Sequence, residues 1–362
     1  MAWNQTSLTK TLGLRYPIIQ GPFGGGLSSV SLLAKVSNLG GLGSYGAHYM
    51  TAEQIQELCR EVRSTTKNPY AINLWVSDHD EGVDKFTKEK FEAHLKRMLP
   101  FYKELSVPVP EMPSSYGQKF VDQIDVLIKE KPPVISFVYG VPDSAILQEC
   151  RKQGIKTIGT ATTVEEGLLL EKAGIDVVVA SGFEAGGHRG SFVQSAEKSL
   201  TGTFSLVPQM AENLKIPFAA AGGVANGKGI AAALTLGAQG VQIGTAFLAC
   251  EESAAAKFHR EKLLSKGAAG RTVLTRIFTG RLARGIENRL VQDLDTIKDD
   301  LPPYPIQSWF TGQFKKAAID QGRSDMMSLW ASQSYPLLKH KTVDALFRSL
   351  IEETSAYQGA AE

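Results

Sequence analysis

Short apolar runs recur along the chain, and polar or glycine-rich turns and helical patterns separate them. The runs are apolar at consecutive rather than alternate positions, which is typical of parallel strands covered on both faces. They predict eight strands, at residues 17–20, 41–44, 70–74, 134–138, 155–159, 176–180, 217–220 and 240–243. Their alternation with helical patterns indicates an α/β fold.

Helical patterns lie between most of the predicted strands, and several have recognisable ends. They fall at residues 28–38, 52–63, 143–153, 164–173 and 228–236. Thr163 suits the N-cap of the fourth helix, because Glu165 and Glu166 follow in its first turn near the positive end of the helix dipole. A glycine suited to a left-handed C-cap follows three of these helices, at Gly154, Gly174 and Gly237.

Eight strand–helix units favour a TIM (β/α)8 barrel, with a doubly wound open sheet as the alternative. The connections after the third and sixth strands are longer than one such unit needs. We expect residues 1–75 and 133–250 to form the barrel, and 76–132 to be an insertion with a helix at 85–98. Residues 251–362 are expected to form a mostly helical C-terminal extension that packs on the barrel.

The composition is that of an ordinary globular protein, with 43% hydrophobic and 21% charged residues. The net charge of +2 gives no electrostatic reason to expect a nucleic-acid or membrane partner. No apolar stretch is long enough to span a bilayer, and the first residues lack a signal-peptide pattern. Cys59, Cys150 and Cys250 have no metal or redox spacing, so we expect a cytoplasmic protein without a metal.

Small residues cluster where the seventh and eighth predicted strands end. Gly222 and Gly223 follow the seventh strand, and the segment Gln242-Ile243-Gly244-Thr245 ends the eighth. In a (β/α)8 barrel the loops after these strands often bind phosphate through backbone N–H groups, and a Cβ would block that approach. The two clusters lie one strand–helix unit apart, which favours a phosphate site over the alternative that the glycines only form tight turns.

His188 lies in the run Gly186-Gly187-His188-Arg189-Gly190 after the sixth strand. An imidazole titrates near neutrality and can transfer protons, so His188 is the candidate acid–base residue, with a surface-loop histidine as the alternative. His48 follows the second strand and either lines the site or belongs to a packed loop. The remaining histidines are expected to be solvated: His79, His94, His259 and His340.

The ends of the first and third strands extend the candidate site. The run Gln20-Gly21-Pro22-Phe23 leads into three glycines, which are too loose for a dinucleotide fingerprint but suit a backbone platform beneath a flat ring. Asn73 is a carboxamide inside an apolar strand, so it needs either a ligand or a buried network. Arginines nearer the C-terminus are expected to be solvated or ion-paired: Arg271, Arg276, Arg281, Arg284 and Arg289.

Together these motifs resemble the nitronate monooxygenase family, also called 2-nitropropane dioxygenases. The resemblance covers almost the whole chain, from Gln20-Gly21-Pro22-Phe23 to Thr279-Gly280-Arg281-Leu282-Ala283-Arg284-Gly285, and the His188 run is quite specific. It implies non-covalent FMN, no metal, and His188 as the catalytic base. Family contacts to FMN fall on Asn73, Gly186, Gly223, Gln242, Ile243, Gly244 and Thr245. We extend the expected cofactor site to Gln20, Gly21, Pro22, Phe23, Ser181, Gly187 and Gly222.

Two positions depart from the family pattern. Ser181 stands where members usually carry a Gln that contacts FMN, and Phe23 stands where they usually carry Met. Ser181 is shorter, so it would reach the cofactor through water or a shifted loop. The implied reaction is oxidation of an alkyl nitronate, such as propionate 3-nitronate, by O2 to a carbonyl compound and nitrite. His188 would deprotonate neutral nitroalkanes, and a homodimer is compatible with the sequence.

Other functions share parts of this pattern. Flavin-dependent enoyl-acyl-carrier-protein reductases have a similar Gly-Gly-His loop, and they and quinone reductases require NADH or NADPH. Enzymes that resemble IMP dehydrogenase need a loop cysteine, which Cys59, Cys150 and Cys250 do not supply. A flavin-binding protein without turnover is the non-enzymatic alternative.

Overall fold

Eight parallel strands form a closed barrel in the computed structural model, which describes residues 2–265 and 271–358. The barrel strands are β1 Ile18–Gln20, β2 Gly43–Gly46, β3 Tyr70–Trp75, β4 Val134–Val138, β5 Lys156–Ala161, β6 Val177–Ser181, β8 Phe218–Ala221 and β9 Gly240–Ile243. Their order is β1-β9-β8-β6-β5-β4-β3-β2, and a parallel bridge from Ile19 to Leu42 joins the first strand to the segment before β2. This closure confirms the predicted barrel and excludes an open sheet.

The helices surround this barrel or belong to the segments outside it. They are α1 Ser7–Leu12, α2 Val30–Asn38, α3 Ala52–Thr65, α4 Lys88–Glu104, α5 Phe120–Glu130, α6 Ser144–Lys152, α7 Val164–Ala173, α8 Thr203–Asn213, α9 Gly227–Thr235, α10 Thr245–Leu248, α11 Lys257–Leu264, α12 Arg289–Leu294, α13 Ile306–Asp320 and α14 Val343–Gln358. Within the described part of the chain, no helix is both long and apolar enough to cross a membrane.

Local sequence signals agree with these elements. Each predicted strand lies within two residues of an observed barrel strand. The Thr163 hydroxyl accepts a hydrogen bond from the Glu166 backbone N–H and caps α7, as its position predicts. Gly154, Gly174 and Gly237 all adopt positive φ, of 75°, 89° and 104°, which ends the preceding helices in the left-handed conformation.

The segment between β3 and β4 contains two helices with different surroundings. Helix α5 packs against α3 and β3, which is the position of a barrel helix. Helix α4 lies on α13 in a second apolar core, where Tyr102 contacts Phe314. The sequence predicts α4 at 85–98 and gives no prediction for α5. By its contacts α5 belongs with the barrel, and the division of the chain into a barrel, an insertion and an extension stays a prediction.

A small second sheet joins the loop after β6 to the C-terminal region. It consists of β7 Gly187–His188, β10 Thr272–Thr275 and β11 Ala283–Ile286, with β11 in the centre. Helix α14 then returns to the barrel and packs against α9 and α2, where it completes the ring of helices. The expected solvation of two histidines is wrong, because this C-terminal region covers them. His94 packs on Phe310, and the His259 Nε2 atom lies 3.1 Å from the Trp330 carbonyl oxygen.

Candidate active site

A cavity of about 560 Å³ lies at the carboxyl ends of the barrel strands, beneath residues of the C-terminal region. Ligand sites of (β/α)8 barrels lie at this end, because the loops that follow the strands surround it. Thirteen of the predicted site residues line it: Gly21, Pro22, Phe23, Asn73, Ser181, Gly186, Gly187, His188, Gly222, Gly223, Gln242, Gly244 and Thr245. The structure therefore brings together residues from the ends of five barrel strands and from the small second sheet that covers them.

Gln20 and Ile243 lie behind the cavity wall. The Gln20 Oε1 atom accepts a hydrogen bond from the Ser44 backbone N–H at 2.8 Å, and the Ile243 side chain is buried in the barrel core. Successive side chains of a barrel strand point to opposite sides, so Gln242 can face the cavity while Ile243 cannot. The Ile243 carbonyl still shapes the site, because it accepts a hydrogen bond from the Gly21 backbone N–H at 2.8 Å.

The two glycine-rich turns lie side by side, because Ala221 of β8 pairs with Gln242 of β9. Gly222 and Gly223 have φ of +98° and +78°, which is the left-handed region. A Cβ at Gly222 would lie 2.9 Å from the Gly182 carbonyl oxygen, so the turn tolerates no side chain there. Gly222, Gly223 and Gly244 thus place no Cβ between the backbone of these turns and the cavity.

His188 is held against the cavity by the small sheet and by aromatic rings. Its backbone pairs with Ala283 of β11, and its Nε2 atom lies 2.9 Å from the Thr279 Oγ1 atom. The ring centroids of Trp75 and Trp330 lie 4.9 and 5.2 Å from that of the imidazole. Burial in this surrounding, and then the charge of Arg281, lower the pKa of His188 to about 3. The imidazole is therefore neutral at physiological pH and can accept a proton.

His48 contributes a second imidazole to the cavity wall. It is 7% exposed, and neither ring nitrogen has a hydrogen-bond partner among the described residues. Burial lowers its pKa well below the ordinary value, and His188, Arg281 and Lys315 lower it further. Of the two interpretations that the sequence allows, the structure supports the one in which His48 lines the site.

Asn73 and Ser181 have protein partners as well as access to the cavity. The Asn73 Nδ2 atom donates to the Ser136 carbonyl at 3.1 Å and to its hydroxyl at 3.0 Å. Ser181 accepts a 3.4 Å hydrogen bond from the buried guanidinium of Arg189, which also donates to the Gly182 carbonyl at 2.7 Å. Asn73 thus belongs to a buried network and also lines the cavity, and its contact with a ligand stays a prediction. Ser181 connects the cavity wall to a buried guanidinium.

Arg281 and Arg284 are buried, so their expected solvation is wrong. The Arg281 guanidinium lies 4.1 and 4.2 Å from the ring centroids of Tyr139 and Tyr304, and its Nη2 atom lies 2.7 Å from the Asp80 carboxylate. Arg284 donates to the Phe183 carbonyl at 3.0 Å. The expected ion pairs are correct for four members of the series: Arg271, Arg276, Arg281 and Arg289.

The cavity has a positive electrostatic character. Among the described residues that line it, none is Asp or Glu, and Lys315 is the one lysine or arginine. Lys315 has no carboxylate partner in the described part of the chain, since its Nζ atom donates to the Gly25 carbonyl. Burial lowers the pKa of this amine. No sequence signal predicts this position of Lys315, because a lysine on a helix usually faces solvent. No group of three potential metal ligands occurs in residues 2–265 and 271–358.

The fold and the site define a (β/α)8-barrel oxidoreductase of the flavoprotein class. A family model for nitronate monooxygenase matches residues 5–353, and the chain therefore belongs to that family. A relative named probable nitronate monooxygenase, from Staphylococcus saprophyticus, is 38% identical over 97% of this chain and 98% of its own.

Two solved structures are similar over almost the whole chain. Nitroalkane oxidase from Streptomyces ansochromogenes is 34% identical, with a TM-score of 0.89, over 99% of this chain and 100% of that one. FabK from Thermotoga maritima is 26% identical, with a TM-score of 0.76, over 99% and 98% of the two chains. The sequence-based assignment of family and fold is thereby confirmed.

Proposed function

We propose that this protein is an FMN-dependent nitronate monooxygenase that oxidises alkyl nitronates with O2 to a carbonyl compound and nitrite. The observation that carries the proposal is the position of His188 in a cavity that has one lysine and, among its described lining residues, no carboxylate. A nitronate is an anion, and such a cavity favours an anion over a neutral or cationic ligand.

The residues present fit FMN. The turns at Gly222–Gly223 and Gly244–Thr245 would hold the phosphate through backbone N–H groups, since Gly222, Gly223 and Gly244 carry no Cβ. Gly21, Pro22 and Phe23 would support the ring, and Asn73 and Gln242 offer amides to its polar edge. When bound, the flavin supplies the redox chemistry of the reaction. The cavity volume of about 560 Å³ is within the range of small-molecule and cofactor sites.

His188 would act on neutral nitroalkanes as the base. Its depressed pKa keeps it in the proton-accepting form, and the nitronate that forms beside it stabilises the imidazolium by charge attraction. A nitronate formed in solution needs no proton removal and would use the same cavity without this step. Lys315 would attract a second anionic group, which suits a substrate of the propionate 3-nitronate type.

A reductase that uses NADH or NADPH is the second candidate, because the Gly186-Gly187-His188 loop is similar to that of flavin-dependent enoyl-acyl-carrier-protein reductases. One experiment separates the two functions. The protein is purified without added cofactor, its visible spectrum is recorded, and the released flavin is identified chromatographically. Oxygen uptake and nitrite release with propionate 3-nitronate support the proposal. A colourless protein that does not bind added FMN overturns it, and anaerobic bleaching by NADH without nitronate turnover favours the reductase.

A further inference from the structure

The turn between β10 and β11 carries the Thr279-Gly280-Arg281 motif and lies directly beside His188. Gly280 has φ of +85°, and a Cβ there would lie 2.7 Å from the Pro302 carbonyl oxygen. The Arg276 side chain donates to the Gly280 carbonyl at 2.8 Å. This turn therefore requires glycine at position 280, where the backbone lies between the Pro302 carbonyl and the Arg276 side chain.

Arg281 anchors the other end of the turn. Its Nε atom donates to the Asp80 carboxylate at 2.9 Å, and its Nη1 atom donates to the Ser77 carbonyl at 3.1 Å. The guanidinium also lies between the rings of Tyr139 and Tyr304. With both ends fixed, the Thr279 hydroxyl has little freedom to move relative to the imidazole.

Three polar groups surround the Thr279 hydroxyl. The Arg281 backbone N–H donates to its Oγ1 atom at 3.3 Å, the Arg281 carbonyl lies 3.2 Å from it, and the His188 Nε2 atom lies 2.9 Å from it. A hydroxyl has one proton to donate and two lone pairs to accept with. All three contacts become hydrogen bonds in one arrangement: Thr279 donates to the Arg281 carbonyl and accepts from both N–H groups.

We infer that Thr279 is a positioning residue that holds His188 with its proton on Nε2 and leaves Nδ1 as the basic nitrogen. No described residue bonds Nδ1, and the ring lines the cavity. The inference rests on the proposed base role of His188. In that step the Cα–H proton of a nitroalkane passes to Nδ1, and the C–H electron pair moves onto the nitro group. Thr279 accepts from Nε2–H before and after the transfer.

The first test reads the tautomer directly, by ¹⁵N NMR of the histidine-labelled, flavin-loaded protein at pH 7, with His188→Asn used to assign the resonance. We expect a pyrrole-like Nε2 and a pyridine-like Nδ1 in the unsubstituted chain. The reverse pattern overturns the inference. This readout does not depend on turnover, so it decides the role of Thr279 even if neutral nitroalkanes are not substrates and the base role fails.

The second test uses variants. Thr279→Val should lower kcat/KM for a neutral nitroalkane about 10- to 100-fold, the size of one lost hydrogen bond to a charged group, and change nitronate turnover little. Thr279→Ser should restore most of the loss. Thr275→Val is the matched control, because this buried threonine accepts from the Ile277 backbone N–H and lies two strands from His188 in the same sheet. Equal loss on both substrates, or no rescue by serine, contradicts the inference. If Thr279→Val does not fold, the kinetics of Thr279→Ser and the His188 tautomer measured by ¹⁵N NMR still test the inference.

Discussion

The imidazole of His48 lies flat on the indole of Trp75, with ring centroids 3.8 Å apart and planes inclined by 7°. His188 is a second neighbour of Trp75 in the site, and its ring meets the indole edge-on at 69°. One tryptophan thus holds two neutral imidazoles in the same cavity. Both are buried in an apolar and positively charged surrounding, which lowers the pKa of each.

Burial of these histidines makes stability sensitive to acid. The pKa values of His94 and His259 are lowered to about 4, and that of His188 to about 3, by burial first of all. The unfolded chain therefore binds protons below about pH 6.5 that the folded chain does not bind. Stability present above pH 6.5 is lost as the pH falls toward 4.

His48→Phe is the variant that tests this effect. The variant keeps a flat ring on Trp75 but lacks the group that takes up a proton on unfolding. Between pH 6.5 and 5, its free energy of unfolding should therefore fall by about 1.4 kcal/mol less per pH unit than that of the unsubstituted chain. Urea unfolding at both pH values measures the difference. Equal slopes in the variant and the unsubstituted chain would contradict the prediction.

His188→Asn should separate the two kinds of substrate. Loss of a general base lowers kcat/KM for a neutral nitroalkane by about 10²- to 10⁴-fold, while a preformed nitronate keeps most of its turnover. For the unsubstituted enzyme, the depressed pKa predicts that kcat/KM for the nitroalkane stays level from pH 7 to about 5. Oxygen-uptake rates across this range measure both effects. A decline with an apparent pKa near 6.5, or an equal loss on both substrates, would argue against the assigned role.

Gly223→Ala tests the phosphate site. Gly223 lines the cavity, so an added methyl group should lower flavin affinity about tenfold or more, in addition to about 1 kcal/mol of backbone strain at its φ of +78°. Gly154→Ala is a matched control, because its φ of +75° is close to the +78° of Gly223 and a Cβ there would lie in open space. Flavin titration and thermal unfolding distinguish the two. The idea fails if both variants bind flavin equally well.

Lys315→Met tests the anionic character of the substrate. Removal of this cation should raise the KM for propionate 3-nitronate about tenfold, since a hydrogen bond to a charged group is worth about 1.5–3 kcal/mol. The KM of an uncharged nitroalkane should change much less. Lys316→Met is the control, because Lys316 is exposed and pairs with Asp320 at 2.6 Å on the outside of α13. A parallel change for both substrates would refute a specific role.

Much of the barrel and several residues of the site can be predicted from local sequence. Strands and helices depend on apolar periodicity over a few residues, and the glycines of the C-caps and phosphate turns depend on single backbone angles. Parallel strands bring their carboxyl ends together, so the positions of His188, Asn73 and Gly222–Gly223 along the chain already predict a common site. Gln20 and Ile243 do not line the cavity, because successive residues of a barrel strand face opposite sides.

The remaining features depend on packing between distant segments. Arg281 reaches Tyr139 and Asp80 across the fold, Lys315 enters the cavity from α13, and His94 is covered by the C-terminal region. Each of these residues looks solvated in its own sequence window, because burial depends on the element that covers it. The sequence alone determined the barrel, its glycine turns and the histidine. Only the tertiary structure decided the charge of the cavity, the depressed histidine pKa values and the partner of the imidazole, since all three arise from contacts between residues far apart in the chain.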